Sequence, residues 1–521
     1  MHDLVIRGGT ILDGSGAKPY QADLGVKGDR IEEIDVGITD GVEELDANGM
    51  FVSPGFIDIH SHSDYSLLVD PRAVSAVYQG VTLEVIGNCG HGCFPVSTPS
   101  AAINAIYGYS DSVPLTWRRA SEYFSRLEEA GPSVNVLSLI PHGQLRLSTV
   151  GLTDRSATED ELATMVTLIE SALEEGAWGL STGLEYAAEM GATEQEVTTL
   201  CQPVSTADAL YACHTRYRDA GAALAIEEAI RTAENSGVQL QISHLVPRSG
   251  DEEMRRCLEQ VDQAHRLGLD VSFDMHTRLF GFTYLYSALP PWAQADGPER
   301  LLEYLRDPAA RTKMKEFQSI LSAGNDWSRI ILLDNPDFPE FSRRDFESIA
   351  SERGQDPLDS IYDLLLESRG PMSGLMTLIK CHNEDQQVEA FQHDLCMPAS
   401  DATTLAPDGP LADTIFHGAY TWASYFYDFV VNRRKLMTPT EAVHRLSGMP
   451  AKRLGIRDRG FLCSGAYADI VVFNSDRFRD QGTVYEPNRL ATGISHVVVN
   501  GIPTLLDGAL TGRRSGRVLR R

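Results

Sequence analysis

The sequence predicts an α/β fold: a (β/α)8 barrel of the TIM type with a small β-sandwich domain formed from both chain termini. Three observations predict it. From about residue 55 to 460, buried strand-like runs alternate with amphipathic helical stretches, as repeated βα units of a parallel sheet do. Both ends of the chain are instead rich in short apolar β runs. Polar residues able to carry chemistry directly follow several of the buried runs, where a barrel places its active site.

The N-terminal β region comes first. Leu4 to Leu12 is apolar and β-branched and breaks at Asp13-Gly14. Ala22–Val26 and Arg30–Ile34 flank Lys27-Gly28-Asp29, a hairpin signal. Asp469–Phe473 and His496–Gly501 repeat this texture near the other end. Residues 1–54 plus 460–521 are therefore assigned to the small β domain, and 55–459 to the barrel.

Within the barrel, Thr158-Glu159-Asp160-Glu161 is a capping box. Leu162, Met165, Val166, Ile169 and Leu173 follow at helical spacing, and Gly176 ends the helix. Trp178–Gly183 reads as a buried strand. A strand from Leu210 ends at His214, and one from Val238 ends at His244, with a helix around Ala222–Glu234 between them. A further helix, Glu253–Leu267, leads into the strand Leu269–Asp274, and Thr438-Pro439-Thr440-Glu441 caps a late helix. The stretch from about 283 to 345, with Pro290-Pro291-Trp292 and two amphipathic segments, reads as an insertion covering the barrel mouth.

Composition narrows the functional classes. With 521 residues, 42% hydrophobic and 23% charged, the chain can bury a large globular core. Its net charge of −28 argues against nucleic acid or an anionic membrane as partner, because no basic stripe exists to neutralise phosphates. No apolar run is long enough to span a bilayer, and Met1-His2-Asp3-Leu4 lacks the features of a signal peptide. Eight scattered cysteines read as reduced thiols of a cytoplasmic protein. The expected partner is a small-molecule substrate, and homo-oligomerisation is left open.

The chemistry centres on Pro54-Gly55-Phe56-Ile57-Asp58-Ile59-His60-Ser61-His62-Ser63-Asp64. His60 and His62 are two apart, so on a strand both imidazoles face one side and can converge on one point. That is half of a metal site. Cys89, His214, His244 and Asp401 each follow a strand of their own. Singly, each reads as a structural residue; the series is what points to a site.

That series resembles the amidohydrolase superfamily, most closely its N-acyl-D-amino-acid deacylase (D-aminoacylase) branch. The similar motifs include Phe56–Asp64, Gly87-Asn88-Cys89-Gly90, His142-Gly143-Gln144-Leu145-Arg146 and Gly179–Leu184. They continue through His214-Thr215-Arg216, Ile242-Ser243-His244, Ser400-Asp401 and Arg457–Gly460 leading to Ala468–Phe473, so the resemblance covers nearly the whole chain. It implies Zn2+ held tightly by Cys89, His214 and His244, with Cys89 in the bridging place that a carboxylated lysine fills in other amidohydrolases. His60 and His62 would hold a second, weaker ion. Asp401, counted with the ligand set, would be the general base. His142 is the candidate to hydrogen-bond the scissile carbonyl. Glu185, Tyr186 and Arg216 are candidate substrate-binding residues.

The departures fall on groups that read the substrate. Where deacylases of this branch usually have a Lys, a Tyr-Pro-Tyr and a His-Pro-Arg, this chain has Val246, Met275-His276-Thr277 after Asp274, and His417-Gly418-Ala419. The lost Lys, Tyr and Arg would clamp an α-carboxylate. Arg216, Arg248 and Arg278 could supply a replacement clamp, with His276 a further substrate-binding candidate; alternatively, the substrate has no free carboxylate there. The expected activity is zinc-dependent hydrolysis of the C–N amide bond of an N-acyl (D-)amino acid or related amide. The alternatives are a cyclic-amide hydrolase similar to hydantoinases and dihydroorotases, and a non-catalytic scaffold homologue. The latter predicts lost ligands, yet His60, His62, Cys89, His214, His244 and Asp401 are all present.

Overall fold

The computed structural model describes residues 1–109, 112–219, 221–248, 250–295, 297–370 and 372–521. Its centre is a run of parallel strands, β1 (Phe56–Asp58), β2 (Val81–Ile86), β3 (Asn135–Ser138), β4 (Gly179–Gly183), β5 (Leu210–His214), β6 (Gln239–Ile242), β7 (Val271–His276) and β8 (Cys396–Ala399). Each pairs in parallel with the next. Between β3 and β4 the link is made by Ile140–Pro141, one residue beyond the end of β3. After β8 the path returns to β1. Ser61 and Ala402 form a parallel bridge, His62 N donates to the Ala402 carbonyl at 2.8 Å, and Asp401 N donates to that of His60 at 2.9 Å.

These strands are apolar on both faces because both faces are covered. On one side Ile57, Leu83, Val85, Leu137, Leu210, Ala212, Met397 and Ala399 pack into a cluster with Leu454 and Ile456. On the other lie helices α1 (Glu159–Glu174), α2 (Glu194–Thr206), α3 (Ala222–Ser236) and α4 (Asp251–Arg266), which connect β3 through β7 in turn. Helix α1 is capped as its sequence predicts: Glu161 N donates to Thr158 Oγ1 at 3.3 Å, and Thr158 N to the Glu161 carboxylate at 2.8 Å. Its Met165 and Ile169 are fully buried, each contributing roughly 1.5–3 kcal/mol.

The termini meet in one nine-stranded sheet. Phe51–Pro54 is the seam: it pairs in parallel with His2–Ile11 and antiparallel with Ile470–Phe473. Its apolar side holds Leu4, Ile6, Leu24, Val26, Val52, Ile470 and Val472. Between β7 and β8 the chain builds a three-stranded antiparallel sheet of Phe280–Tyr284, Ile330–Leu332 and Met376–Lys380, with Met376–Lys380 central. Helices including Pro298–Arg306 and Pro357–Glu367 accompany it, around a core of its own that includes Leu305, Trp327, Phe346 and Tyr362. This insertion runs well past the boundary at 345 read from sequence. Its central strand lies some forty residues beyond its nearer partner, a separation no local pattern reports. No helix among the described residues is long and apolar enough to cross a membrane.

Candidate metal centre and active site

Four ligand-type side chains converge where β1, β2, β6 and β8 end. Donor atoms of His60, Cys89, His244 and Asp401 all lie within 4.8 Å of one another. Cys89 Sγ is 3.2 Å from His60 Nε2 and 3.4 Å from His244 Nε2. His214 Nδ1 stands 3.1 Å from His244 Nε2. His62 Nε2 and His60 Nε2 stand 3.2 and 3.5 Å from Asp401 Oδ1. The six residues that the sequence series singles out are thus gathered in one buried place, five of them 3% exposed or less.

The backbone is bent to make this happen. Cys89, His244 and Asp401 have φ of 52°, 34° and 44°, a left-handed conformation that costs a non-glycine residue of order 1–3 kcal/mol. Hydrogen bonds hold it in place: His244 N donates to Asp274 Oδ1 at 2.8 Å, and Asp401 N to the His60 carbonyl. Asp274 also meets His60 Nδ1 at 3.1 Å and accepts from Gln241 Nε2 at 2.9 Å. A carboxylate on the far nitrogen of a ligating imidazole fixes its tautomer and ring orientation. Asp274 thus ties the His60 ring, the His244 backbone and Gln241 together, a junction that no local sequence pattern reports.

Electrostatics favour the ligand form at Cys89, His244 and Asp401. Against burial, however, Cys89 with Asp274 raises His60, Asp401 with Cys89 raises His62 to about 9, and Cys89 with Glu185 raises His214. These three imidazoles would therefore shed a proton on binding a cation. Burial alone would push the Cys89 thiol up, but the neighbouring imidazoles, His60 first, outweigh it and hold the thiol well below its ordinary 9.0, which favours the thiolate. Burial, helped by Arg218, keeps His244 down at about 4, and therefore neutral. Burial would raise the Asp401 carboxyl; Arg278, His62 and His244 hold it well below the usual carboxylate range. Arg278 Nη2 donates to Asp401 Oδ2 at 2.7 Å and to its carbonyl at 2.9 Å. Cys93, by contrast, is buried away from cations and its thiol is pushed well up.

The other candidate residues divide. Arg248 and Arg278, with His276 and Tyr186, line the cavity beside the cluster. Arg248 is paired with Glu185 and, at 2.8 Å, with Asp219. Glu185 also meets His214 Nε2 at 3.2 Å; despite burial, Arg248 and His214 hold its carboxyl at about 2. The Tyr186 ring packs on His214 with centroids 4.7 Å apart. Arg216 does not line this cavity. It is spent on Glu228 and on the carbonyls of Met190 and Ala192. His142 has a carboxylate at each ring nitrogen, Glu189 at 2.6 Å and Glu196 at 3.3 Å, which leaves neither free for a substrate oxygen. Sequence reasoning missed Arg218, Tyr107 and Phe416, which line the cavity. Arg218 sits two residues past Arg216 in His214-Thr215-Arg216-Tyr217-Arg218, and nothing in the spacing says which of the two faces inward.

Known proteins share this architecture. A model of the amidohydrolase family matches residues 43–307 and 400–504 and passes over most of the insertion. The chain is 31% identical to a D-aminoacylase of Alcaligenes xylosoxydans xylosoxydans over 526 aligned positions, covering 100% of this chain and 98% of that one. It is 30% identical to an N-acyl-D-glutamate deacylase of the same organism, covering 100% and 96%. Among solved structures, a D-aminoacylase superposes with a TM-score of 0.82 at 29% identity, and an N-acyl-D-glutamate deacylase from Bordetella bronchiseptica, complexed with zinc and a phosphonate inhibitor, with 0.80 at 28%; both coverages are complete. A D-hydantoinase from Thermus sp. shares the fold with a TM-score of 0.56 at 14% identity. The chain belongs to the amidohydrolase family.

Proposed function

We propose that the protein is a zinc-dependent amidohydrolase that cleaves the C–N amide bond of an N-acyl-D-amino acid or a closely related linear amide. The observation that carries this reading is the buried thiolate, imidazole and carboxylate cluster of His60, Cys89, His244 and Asp401, set in a chain alike over its whole length to N-acyl-D-amino-acid deacylases. The eight parallel strands are read as a closed (β/α)8 barrel. The Ser61–Ala402 bridge, made just beyond the ends of the first and last strands, supports this, as does placement of the cluster at the C-terminal strand ends. The strands of residues 1–54 and 460–521 are read as a separate small β domain. All eight cysteines are free, seven of them buried, which supports a reducing, cytoplasmic setting.

The donor chemistry fits zinc: one thiolate and two imidazoles, with space for water. Cys89, His214 and His244 would hold the tight ion, and His60, His62 and Asp401 would face a weaker second one. When bound, the ion would acidify a water and polarise the scissile carbonyl. The rest falls to the chain. Asp401, kept ionised and held by Arg278 through Oδ2, offers Oδ1 to take a proton from the attacking water. It then delivers that proton to the leaving amine, as general acid–base catalysis requires. Tyr107, Tyr186 and Phe416 wall the cavity and exclude bulk water.

The test is hydrolysis of N-acetyl-D- and L-amino acids and of hydantoins by zinc-loaded protein, with metal content read on the same sample. We expect turnover of the linear D-substrates with at least one zinc per chain. Cys89→Ala should lose both zinc and turnover. Turnover of hydantoins alone, or full zinc content in Cys89→Ala, would overturn the reading.

A further inference from the structure

Three buried guanidinium groups face the cavity beside the metal cluster: Arg218, Arg248 and Arg278, at 9%, 4% and 4% exposure. Two have carboxylate partners inside the protein. Arg248 is held by Glu185 and Asp219, and Arg278 by Asp401. Arg218 is different. Among the described residues its hydrogen-bond partners are carbonyls, with Nη2 donating to that of His244 at 2.8 Å and to that of Val246 at 3.5 Å. Among the described residues it has no carboxylate partner. The acids near it, Glu185, Asp219 and Asp401, are those already engaged by the other two arginines.

Guanidinium does not deprotonate in proteins, so Arg218 cannot shed its charge. A buried cation without an anion is unfavourable by several kcal/mol unless something compensates it. Both of its carbonyl bonds fall on Nη2, which leaves N–H groups of the planar fork for an incoming partner. Beside it His276 Nδ1 is buried and has no hydrogen-bond partner. The site is therefore short of one planar anion with two acceptor oxygens, next to the place where an amide would be cleaved.

We infer that Arg218 is the specificity-determining cation of this enzyme, accepting a carboxylate of the substrate in a two-oxygen clasp, with Arg248 and Arg278 held back by their own acids. This inference rests on the amidohydrolase reading of the site and deepens it. The carboxylate has two sources in an N-acyl amino acid, the α-carboxylate or an acidic side chain, and the clasp suits either.

The experiment compares four probes on the zinc-loaded full-length protein: N-acetyl-D-leucine, N-acetyl-D-leucinamide, N-acetyl-D-isoglutamine (side-chain carboxylate only) and N-acetyl-D-glutamine (α-carboxylate only). Steady-state kinetics and calorimetric binding are both read, for wild type, Arg218→Met and Arg218→Lys. In wild type, probes with one of the two carboxylates should be favoured over the diamide-like N-acetyl-D-leucinamide by on the order of 100-fold, the scale of a charge-assisted pair. Which one wins identifies the source. Arg218→Met should erase that preference, with the loss falling on KM and binding of the acids by on the order of 100-fold more than on the leucinamide. Arg218→Lys should recover part of it, because a point charge lacks the fork. Equal treatment of acids and amide by wild type would overturn the inference without any variant, as would a loss in Arg218→Met that falls equally on both. Carboxylate binding that depends on Arg218 in a protein with no hydrolysis would uphold the inference and overturn the proposed function.

Discussion

Asp401 meets two demands that pull in opposite directions. To accept a proton it must stay ionised, yet it sits where burial favours the neutral acid. The conflict is settled by Arg278, whose guanidinium touches both its carboxylate and its carbonyl, and by the left-handed backbone that turns Oδ1 toward His60 and His62. Asp401→Asn keeps the shape and an amide oxygen to accept from Arg278 but removes the carboxylate that takes up the proton. It should retain zinc within about 20% and lose turnover by about 1,000-fold or more, the scale of a general base. Metal analysis and kcat on one preparation check this; retained turnover would take Asp401 out of the mechanism. Asp401 was readable in the sequence only as a member of a series. Alone, an aspartate after Met397-Pro398-Ala399-Ser400 is a turn former. Its partner Arg278 was nameable as a candidate, but not as the group that keeps it charged, because the two lie 123 positions apart.

Helices carry the second tier of the site. The short helix His142–Thr149 and α2 face each other through a buried network in which Glu196 meets His142 at 3.3 Å and Arg146. Glu189 joins from the loop after β4 and also accepts from Gly183 N at 2.8 Å, tying the network to the end of that strand. Burial would raise the Glu196 carboxyl, but His142 and Arg146 bring it to about 2, below its ordinary 4.5. A carboxyl more acidic in the folded than in the unfolded chain stabilises the fold above its unfolded value. That contribution fades as pH falls from about 4.5 toward 2. Glu196→Gln should therefore lower Tm most near pH 6, and the gap to wild type should narrow steadily on the way to pH 3. Thermal melts across that range test it, and a gap constant with pH would mean Glu196 is not ionised in the network. Elements of this kind show how far sequence reading reaches. The capping boxes at Thr158 and Thr438 were legible because their bonds span three residues, and both are made. The insertion's central strand and the carboxylates around His142 were not, because their partners arrive from distant segments and leave no local period.

At the scale of the whole molecule, chemistry and anchoring lie at opposite ends of the same strands. The metal cluster gathers at the C-terminal ends, whereas the last residues of the chain dock at the N-terminal ends. Val518 forms a parallel bridge with Val136 at the start of β3. Leu519 N donates to the Val136 carbonyl at 2.7 Å, and Trp178 Nε1, just before β4, donates to the Leu519 carbonyl at 2.7 Å. Leu519 also packs against the apolar cluster that fills the strand interior. Residues that close a barrel from below serve stability, and those at the top serve function. Deleting residues 516–521 removes these bonds and uncovers Trp178 and part of that cluster, a loss of about 2–4 kcal/mol from apolar exposure and unmet carbonyls. Tm should fall by several degrees. Yet kcat/KM and zinc content at 25 °C should stay within about twofold of the full chain, since no deleted residue touches the cluster or its cavity. If activity fell in step with Tm at a temperature where the truncated protein remains folded, the two ends of the strands would be coupled. The site's geometry would then depend on the N-terminal strand ends being covered, rather than on the bent backbone and the aspartates beside the cluster.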